Sequence, residues 1–176
     1  MTRRIFFGIP IEENLQEKIA AWRKKYERLA VRWVKPNNLH VTLIPPWDEE
    51  DIDSVIRLLE HSTAKAVEPL TLQFTRVAYG PSLREPRLIW AEGVAPHGLL
   101  TLKNWCESVL GVSADTRPFL LHLTLARFRP ETFSSFPVKK LDESVSWSQT
   151  CSSVVLYESN LLPGGAEYTV LFRRQL

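Results

Sequence analysis

A repeated pentapeptide constrains the fold of this 176-residue chain more than any other feature of its sequence. Residues 39–43 read Leu-His-Val-Thr-Leu and residues 121–125 read Leu-His-Leu-Thr-Leu, so the two segments match at four of five positions. In a β-strand, alternate side chains point to opposite faces. Each segment would therefore bury its apolar side chains in a core and present a histidine and a threonine together on the other face. Two such strands predict two equivalent halves with a cleft between them.

The surrounding pattern predicts an α+β protein, with antiparallel sheets and helices packed outside them. Apolar residues recurring at three- and four-residue steps indicate helices, and short apolar runs bounded by Pro or Gly indicate strands. The predicted helices are Glu12–Leu29, Asp48–Ala66 and Pro96–Gly111. The predicted strands are Arg4–Ile9, Val31–Val34, Leu39–Ile44, Leu70–Ala78, Arg87–Gly93, Phe119–Phe128, Val145–Leu156 and Glu167–Phe172. Pro45 and Pro46 are expected to end the third strand because proline cannot donate a ladder hydrogen bond. No domain boundary is apparent, so residues 1–176 are expected to form one domain.

Charge and composition narrow the class of protein. The net charge is +2, from 22 basic and 20 acidic residues, which is too small to indicate a binder of long nucleic acids by charge alone. It suits a protein that holds one or two phosphates. No apolar run approaches the roughly 20 residues of a membrane span, and no secretory leader is expected. Cys106 and Cys151 are predicted to be buried free thiols. We expect a soluble, cytoplasmic monomer with no membrane partner.

The two motif histidines allow three interpretations. One is core packing, but burying unsatisfied polar groups costs about 1–3 kcal/mol each, and the chain would incur that cost twice. Another is a metal site, but zinc takes three or four ligands, and neither repeat supplies a second histidine or a nearby carboxylate. The third is an acid–base pair, for which imidazole is suited near neutral pH. His61 and His97 lack a comparable context. The pattern favours metal-free and cofactor-free cleavage of a phosphodiester, with the threonine hydroxyls binding phosphoryl oxygens.

The motifs and their flanking residues resemble a known family over nearly the whole chain. The similar segments are Arg4-Ile5-Phe6-Phe7, Trp33-Val34-Lys35-Pro36-Asn37-Asn38-Leu39-His40, Pro86-Arg87-Leu88-Ile89-Trp90, Arg117-Pro118-Phe119, His122-Leu123-Thr124-Leu125-Ala126-Arg127, Tyr157-Glu158-Ser159 and Tyr168-Thr169. Together they resemble the LigT-like two-histidine (2H) phosphoesterases, and within them the RNA 2′,3′-cyclic phosphodiesterases, historically called 2′-5′ RNA ligases.

The resemblance implies a bilobal fold and hydrolysis of a terminal 2′,3′-cyclic phosphate to a 2′-phosphate. By position, the resemblance implies that His40 is the proton donor and His122 the proton acceptor. The two motifs are too alike to decide between these roles on their own. Thr42, Thr124 and Arg127 would bind the phosphate. The implied partners are RNA with a 2′,3′-cyclic phosphate end or small cyclic nucleotides. The reverse reaction would give 2′-5′ RNA ligase activity.

Two features depart from a simple transfer of the family pattern. Arg127 is five residues from His122, so a regular strand would turn it away from the cleft, and a bulge would be needed to bring it back. Residues 44–47 read Ile-Pro-Pro-Trp where the family usually has a Phe-Leu-Gly turn, which alters the mouth of the cleft. Phe7 and Trp47 are candidates for stacking on a nucleobase, with core packing as the alternative for each.

Two other functions remain open from the sequence. A sibling enzyme would cleave linear 2′-5′ oligonucleotide bonds, and comparing a 2′,3′-cyclic nucleotide with a 2′-5′ dimer would separate it. A non-catalytic RNA-end-binding module would bind such ends without turnover.

Overall fold

The computed structural model describes residues 1–62, 70–82, 84–112 and 118–176. Within these ranges the chain forms an α+β fold, as predicted. Its helices are α1 (Glu13–Arg23), α2 (Ile52–His61) and α3 (His97–Leu110). Its strands are β1 (Arg3–Pro10), β2 (Arg32–Trp33), β3 (His40–Glu49), β4 (Leu70–Gly80), β5 (Leu88–Gly93), β6 (Leu121–Arg127), β7 (Asp142–Cys151), β8 (Ser153–Leu162) and β9 (Gly165–Gln175). The predicted end of the second helix at Ala66, and Arg117 of the second motif's flank, lie outside the described residues.

The strands form two antiparallel sheets of similar design. One sheet has the order β3-β1-β8-β9, and the other has the order β2-β6-β5-β4-β7. Apart from the two-residue strand β2, each sheet has four strands, and the motif strand lies at one end of the four. The two halves expected from the repeated pentapeptide are therefore present as two related sheets.

Both motif strands contain a bulge at the same position. Where β3 pairs with β1, and where β6 pairs with β5, the motif strand has an extra residue at this point, and β3 has a second register shift between Ile44 and Trp47. The extra residue is Leu43 in β3 and Leu125 in β6, in each case three residues after the motif histidine. A bulge reverses the alternation of side chains beyond it. The residues after Leu125 in β6, and those between Leu43 and the second shift in β3, therefore face opposite to the direction that simple strand parity predicts.

The prediction that Pro45 and Pro46 end the third strand is wrong. Strand β3 continues through both prolines to Glu49 and pairs with β1 on either side of them, with a register shift between Ile44 and Trp47. It lies at the edge of its sheet, so only one side needs ladder hydrogen bonds, and both prolines are exposed. Successive N–H groups of a strand point to opposite sides, so the edge position accounts for one proline and the register shift between Ile44 and Trp47 accommodates the other.

The prediction of one strand over Val145–Leu156 is also wrong. This segment is divided at Ser152 between β7 and β8, which belong to different sheets. Ser152 is the single residue between the two strands, and no Gly or Pro marks the point where the chain passes from one sheet to the other. The first helix is shorter than predicted, since α1 ends at Arg23 and a 3-10 turn follows.

The sheets and helices enclose a main apolar core and a smaller aromatic cluster. The main core takes buried side chains from both sheets and all three helices, including Phe7, Phe74 and Leu123. The smaller cluster consists of Phe6, Val155 and Tyr157, with Tyr168 packed against it. It lies on the opposite face of the first sheet.

Two predictions from composition can be compared with the fold. Cys106 and Cys151 are buried and form no disulfide, as predicted. Among the helices of the described ranges, none combines the length and apolar character needed to cross a membrane.

Candidate active site

Residues of the two motifs line one cavity. Thr42 of β3 and His122 of β6 both border a cavity of about 280 Å³, here called the motif cavity. The two strands belong to different sheets, yet their Cα atoms approach to within 8 Å. The remaining walls of the motif cavity are Leu43, Pro45, Trp90, Lys103, Pro118, Phe119 and Leu120. The cleft expected between the halves therefore joins a hydroxyl of one motif to an imidazole of the other.

The two histidine rings are held in the same way. His40 Nδ1 lies 2.7 Å from the carbonyl oxygen of Asn38, and His122 Nδ1 lies 3.0 Å from that of Leu120. A carbonyl oxygen can only accept, so Nδ1 carries the hydrogen in both rings. This leaves Nε2 of each ring as the nitrogen that takes up or releases a proton. Residue i−2 thus fixes the tautomer in both motifs.

An aromatic cage surrounds His40. The ring centroids of Phe6 and Tyr168 lie 4.7 and 5.2 Å from that of His40, and Tyr157 lies at 6.1 Å. Gly8, opposite Thr42 in the sheet, allows the backbone of β3 to approach closely here. A Cβ at Gly8 would lie 2.8 Å from the Val41 carbonyl oxygen and 3.5 Å from the His40 ring.

The surroundings of His40 disfavour its charged form. Burial lowers the pKa of His40 to about 4, and the positive charges of Arg127 and His122 act in the same direction. The hydrogen bond to the Asn38 carbonyl opposes this shift. Because charge interactions reach His40 from both Arg127 and His122, the three side chains share one electrostatic environment. A phosphate anion among them would offset the repulsion and raise the pKa of His40.

His122 has different neighbours. Its ring packs against Trp90, with the centroids 5.0 Å apart. The Trp90 indole lies directly over Gly80, where any Cβ would clash with it. Trp90 is buried, and its Nε1 has no hydrogen-bond partner among the described residues. Beyond it, Lys103 forms a buried ion pair with Glu107 on α3 and contributes a wall of the motif cavity.

The bulge at Leu125 decides the direction of Arg127. Arg127 pairs with Leu88 of β5, while Thr124 pairs with Trp90 two residues further along the same strand. Leu88 and Trp90 share a face, so Arg127 lies on the face of β6 that carries Thr124 and His122. Its side chain borders a smaller cavity, of about 90 Å³, whose walls include Tyr168 of the His40 cage. The structure thus contains the bulge that the position of Arg127 requires.

The two candidates for base stacking do not face the motif cavity, and the structure contradicts the role given to Phe7. The Phe7 side chain is 0% exposed in the main core, so no ligand can reach it. Its neighbour Phe6 lies in the aromatic cluster instead. Trp47 belongs to β3, packs against the main core, and places its Nε1 3.3 Å from Glu49. The aromatic side chains that do line the motif cavity are Trp90 and Phe119.

The site offers acid–base and anion-binding groups. Two imidazoles with free Nε2 atoms, two threonine hydroxyls and the Arg127 guanidinium could bind and cleave a phosphate ester. Within the described ranges, no group of three or more His, Cys, Asp or Glu side chains is arranged to hold a metal ion.

Comparison with known proteins shows which proteins this chain is similar to. The family model described as LigT like Phosphoesterase matches residues 9–90, which include the first motif. A protein of Methanocaldococcus jannaschii named RNA 2′,3′-cyclic phosphodiesterase is 24% identical and aligns over 96% of this chain and 98% of its own. The protein of that name from Archaeoglobus fulgidus is 29% identical over 72% of this chain and 73% of its own.

Solved structures extend the match to the full fold. The crystal structure of E. coli LigT in its apo form superimposes with a TM-score of 0.76 at 29% identity, covering 99% of this chain and 97% of that chain. E. coli LigT complexed with 3′-AMP gives the same score and identity over 100% of this chain and 99% of that chain. The family model, the named relatives and the solved structures therefore agree that the chain is similar to the LigT-like phosphoesterases.

Proposed function

We propose that the chain is an RNA 2′,3′-cyclic phosphodiesterase that converts a terminal 2′,3′-cyclic phosphate to a 2′-phosphate. The observation that carries the proposal is the motif cavity, where Thr42 and His122 from two separate sheets border the same space. The matching tautomers of His40 and His122 support it, since both rings have Nε2 free for proton transfer. Four curated relatives with this enzyme name add further support.

The reaction needs one base and one acid. His122 Nε2 takes a proton from water as the water oxygen attacks phosphorus, and the bond from phosphorus to O3′ breaks. His40 Nε2 gives its proton to the departing O3′, leaving the phosphate on O2′. Motifs on two facing sheets suit this division, because the attacking and leaving oxygens lie on opposite sides of phosphorus. The assignment of acid to His40 and base to His122 follows the family resemblance.

Charge develops on the phosphoryl oxygens during this step. The Thr42 and Thr124 hydroxyls would donate hydrogen bonds to these oxygens, and Arg127 would balance their charge. The lowered pKa of His40 belongs to the unliganded site. In the complex the substrate anion offsets the charges of Arg127 and His122, so the pKa of His40 rises and its imidazolium is populated. An acid held in an aromatic cage also transfers its proton readily, because its neutral form is the stable one there.

The motif cavity would receive the base of the terminal nucleotide. Its volume is close to the lower end, about 300 Å³, of small-molecule sites. Trp90 and Phe119 give it aromatic walls, and stacking on such rings is worth about 1–3 kcal/mol per base. If a ribose 5′-hydroxyl of a second RNA replaced water as the attacking group, the bond from phosphorus to O3′ would break in the same way, and the same two histidines would form a 2′-5′ bond.

Incubation with a nucleoside 2′,3′-cyclic phosphate tests the proposal. We expect the 2′-monophosphate as product, and a His61→Ala variant, altered on the surface of α2, should retain the rate. Appearance of the 3′-monophosphate would contradict the proposed roles. Preferential cleavage of a 2′-5′-linked dinucleotide would indicate the sibling activity, and binding without turnover would indicate a non-catalytic RNA-end-binding module.

A further inference from the structure

Two arginines face each other at the outer edge of the second sheet. Arg32 of β2 and Arg127 of β6 are direct cross-strand partners in the antiparallel ladder. Like charges in this arrangement destabilise a sheet. Both side chains are exposed, as is Arg129 just beyond the end of β6. Among the described residues, no carboxylate forms an ion pair with any of the three. The protein thus retains a local repulsion that nothing in the described fold relieves.

These arginines line two adjoining cavities that lead away from His40. The cavity of about 90 Å³ reaches from Arg32 and Arg127 to Tyr168, which packs on the His40 ring. A second cavity, of about 340 Å³, is bordered by the same two arginines and extends to Arg129 and Thr132. We call this continuous surface, defined by Arg32, Arg127 and Arg129, the arginine groove. It begins beside the candidate active site and runs outward on the side opposite Trp90.

The chemistry of the groove fits a row of phosphates. Guanidinium groups bind phosphate oxygens through two parallel hydrogen bonds, and an anion between two arginines removes their mutual repulsion. The protein as a whole has a net charge of only +2, so three uncompensated positive charges at one edge are a local concentration. A like-charge cross-strand pair costs stability, so its presence at the border of a site indicates that these arginines have a function there.

We propose that the arginine groove binds the phosphodiester backbone of the RNA strand that precedes the reacting end. The proposal rests on the proposed function, and it names the substrate class as an oligonucleotide end in preference to a mononucleotide. A 2′,3′-cyclic phosphate occupies the 3′ end of its strand, so the rest of the strand continues only from the 5′ side of the terminal nucleotide. With the cyclic phosphate at the histidines, the preceding phosphates run along Arg32 and Arg129.

Two substrates separate binding in the groove from chemistry at the histidines. Uridine 2′,3′-cyclic phosphate lacks the preceding phosphodiesters, whereas a uridine trinucleotide ending in a 2′,3′-cyclic phosphate has them. For Arg32→Gln and for Arg129→Gln we expect kcat/KM on the trinucleotide to fall about tenfold, through KM. The mononucleotide rate should change much less. The matched control is Arg57→Gln, which removes an exposed arginine from α2, outside the groove. Equal effects on both substrates, or an equal effect of Arg57→Gln, would overturn the proposal.

Salt dependence and stability give independent readouts. Each lost phosphate contact should reduce the slope of log affinity against log salt by about 0.7 for a single strand. Arg32→Gln should leave the thermal midpoint unchanged or raise it, since it removes a like-charge pair. A clear fall in the midpoint would assign Arg32 a structural role and overturn the proposal.

A binding assay keeps this test distinct from that of the enzymatic function. Fluorescence anisotropy with a labelled trinucleotide carrying a 2′-phosphate needs no turnover. We expect its Kd to rise about tenfold in Arg32→Gln and in Arg129→Gln. An unchanged Kd would overturn the groove even in an active enzyme. If the wild-type protein hydrolysed neither substrate, the proposed function would fail, and the anisotropy result would still decide the groove.

Discussion

The two motif strands have the same backbone design and different surroundings. Each has a histidine whose Nδ1 donates to the carbonyl two residues earlier, and each has a bulge three residues after that histidine. His40, however, is enclosed by Phe6, Tyr157 and Tyr168, whereas the ring of His122 packs against Trp90 and borders an open cavity.

This difference shows how a duplicated motif can serve two roles. The shared backbone features fix where each imidazole and hydroxyl lie and which nitrogen exchanges the proton. The packing around His40 disfavours its charged form, since burial lowers the pKa of His40 to about 4. Groups whose surroundings push their acid–base properties apart are suited to separate acid and base roles.

Removing either imidazole should have the largest effect on activity. We expect His40→Ala and His122→Ala each to lower kcat by about 10²–10⁴-fold, the usual contribution of one general acid or base. The measurement is the initial rate on a nucleoside 2′,3′-cyclic phosphate. A variant of either histidine that kept the wild-type rate would show that only one half of the site is catalytic.

The two hydroxyls test whether the halves hold the phosphate symmetrically. Thr42→Val and Thr124→Val keep the side-chain shape and remove one donor each, so we expect kcat to fall by about 10–10² in both. Circular dichroism should show unchanged folding. A large loss in one variant and none in the other would place the developing charge against one motif alone.

Opening the aromatic cage should change the pKa of His40. In Tyr168→Leu, water reaches the imidazole, so the pKa of His40 should rise from about 4 toward the ordinary histidine value of about 6.5. The measurement is an NMR titration of the His40 ring in the unliganded protein. Trp90→Leu, altered beside His122, should leave this midpoint in place.

Wild-type activity should follow a bell-shaped pH profile, and a steady rise from about pH 5 to 9 would count against an acid–base pair.

The smallest expected effect is that of a chelator. Because both proposed proton transfers use imidazole nitrogens and the anion is held by hydroxyls and Arg127, EDTA should leave kcat unchanged. A loss that added divalent metal restores would contradict the assignment of acid and base to the histidines.

Features that depend on local pattern could be predicted from the sequence. The strand alternation of the repeated pentapeptide was sufficient to predict that His40 and Thr42 share a face, and the flanking apolar periods were sufficient for most elements. The bulges at Leu43 and Leu125 could not be read from residue types, because they arise from how each strand registers with its neighbour. They decide the side on which Arg127 lies.

Register also explains why Phe6, and not Phe7, lies beside His40. Residues 5–9 are all buried, so the pattern of β1 does not reveal which face adjoins the site. Gly8 pairs with Thr42 and Pro10 pairs with His40, and Phe6 has the same strand parity as these two. Gly8, which pairs with Thr42, was the residue of β1 that could have indicated which face adjoins the site. Tyr168 and Trp90 come from distant parts of the chain, and only the packing of the sheets brings them to the histidines.

A double-variant cycle tests most directly whether His40 and His122 act together on one phosphate. The rates of the wild type, His40→Ala, His122→Ala and the combined variant would be measured on a nucleoside 2′,3′-cyclic phosphate. Groups that act as a unit are strongly non-additive, so the combined variant should lose about as much as the more damaged single variant. Losses that multiply would show that the two histidines contribute independently, and would contradict a shared acid–base reaction.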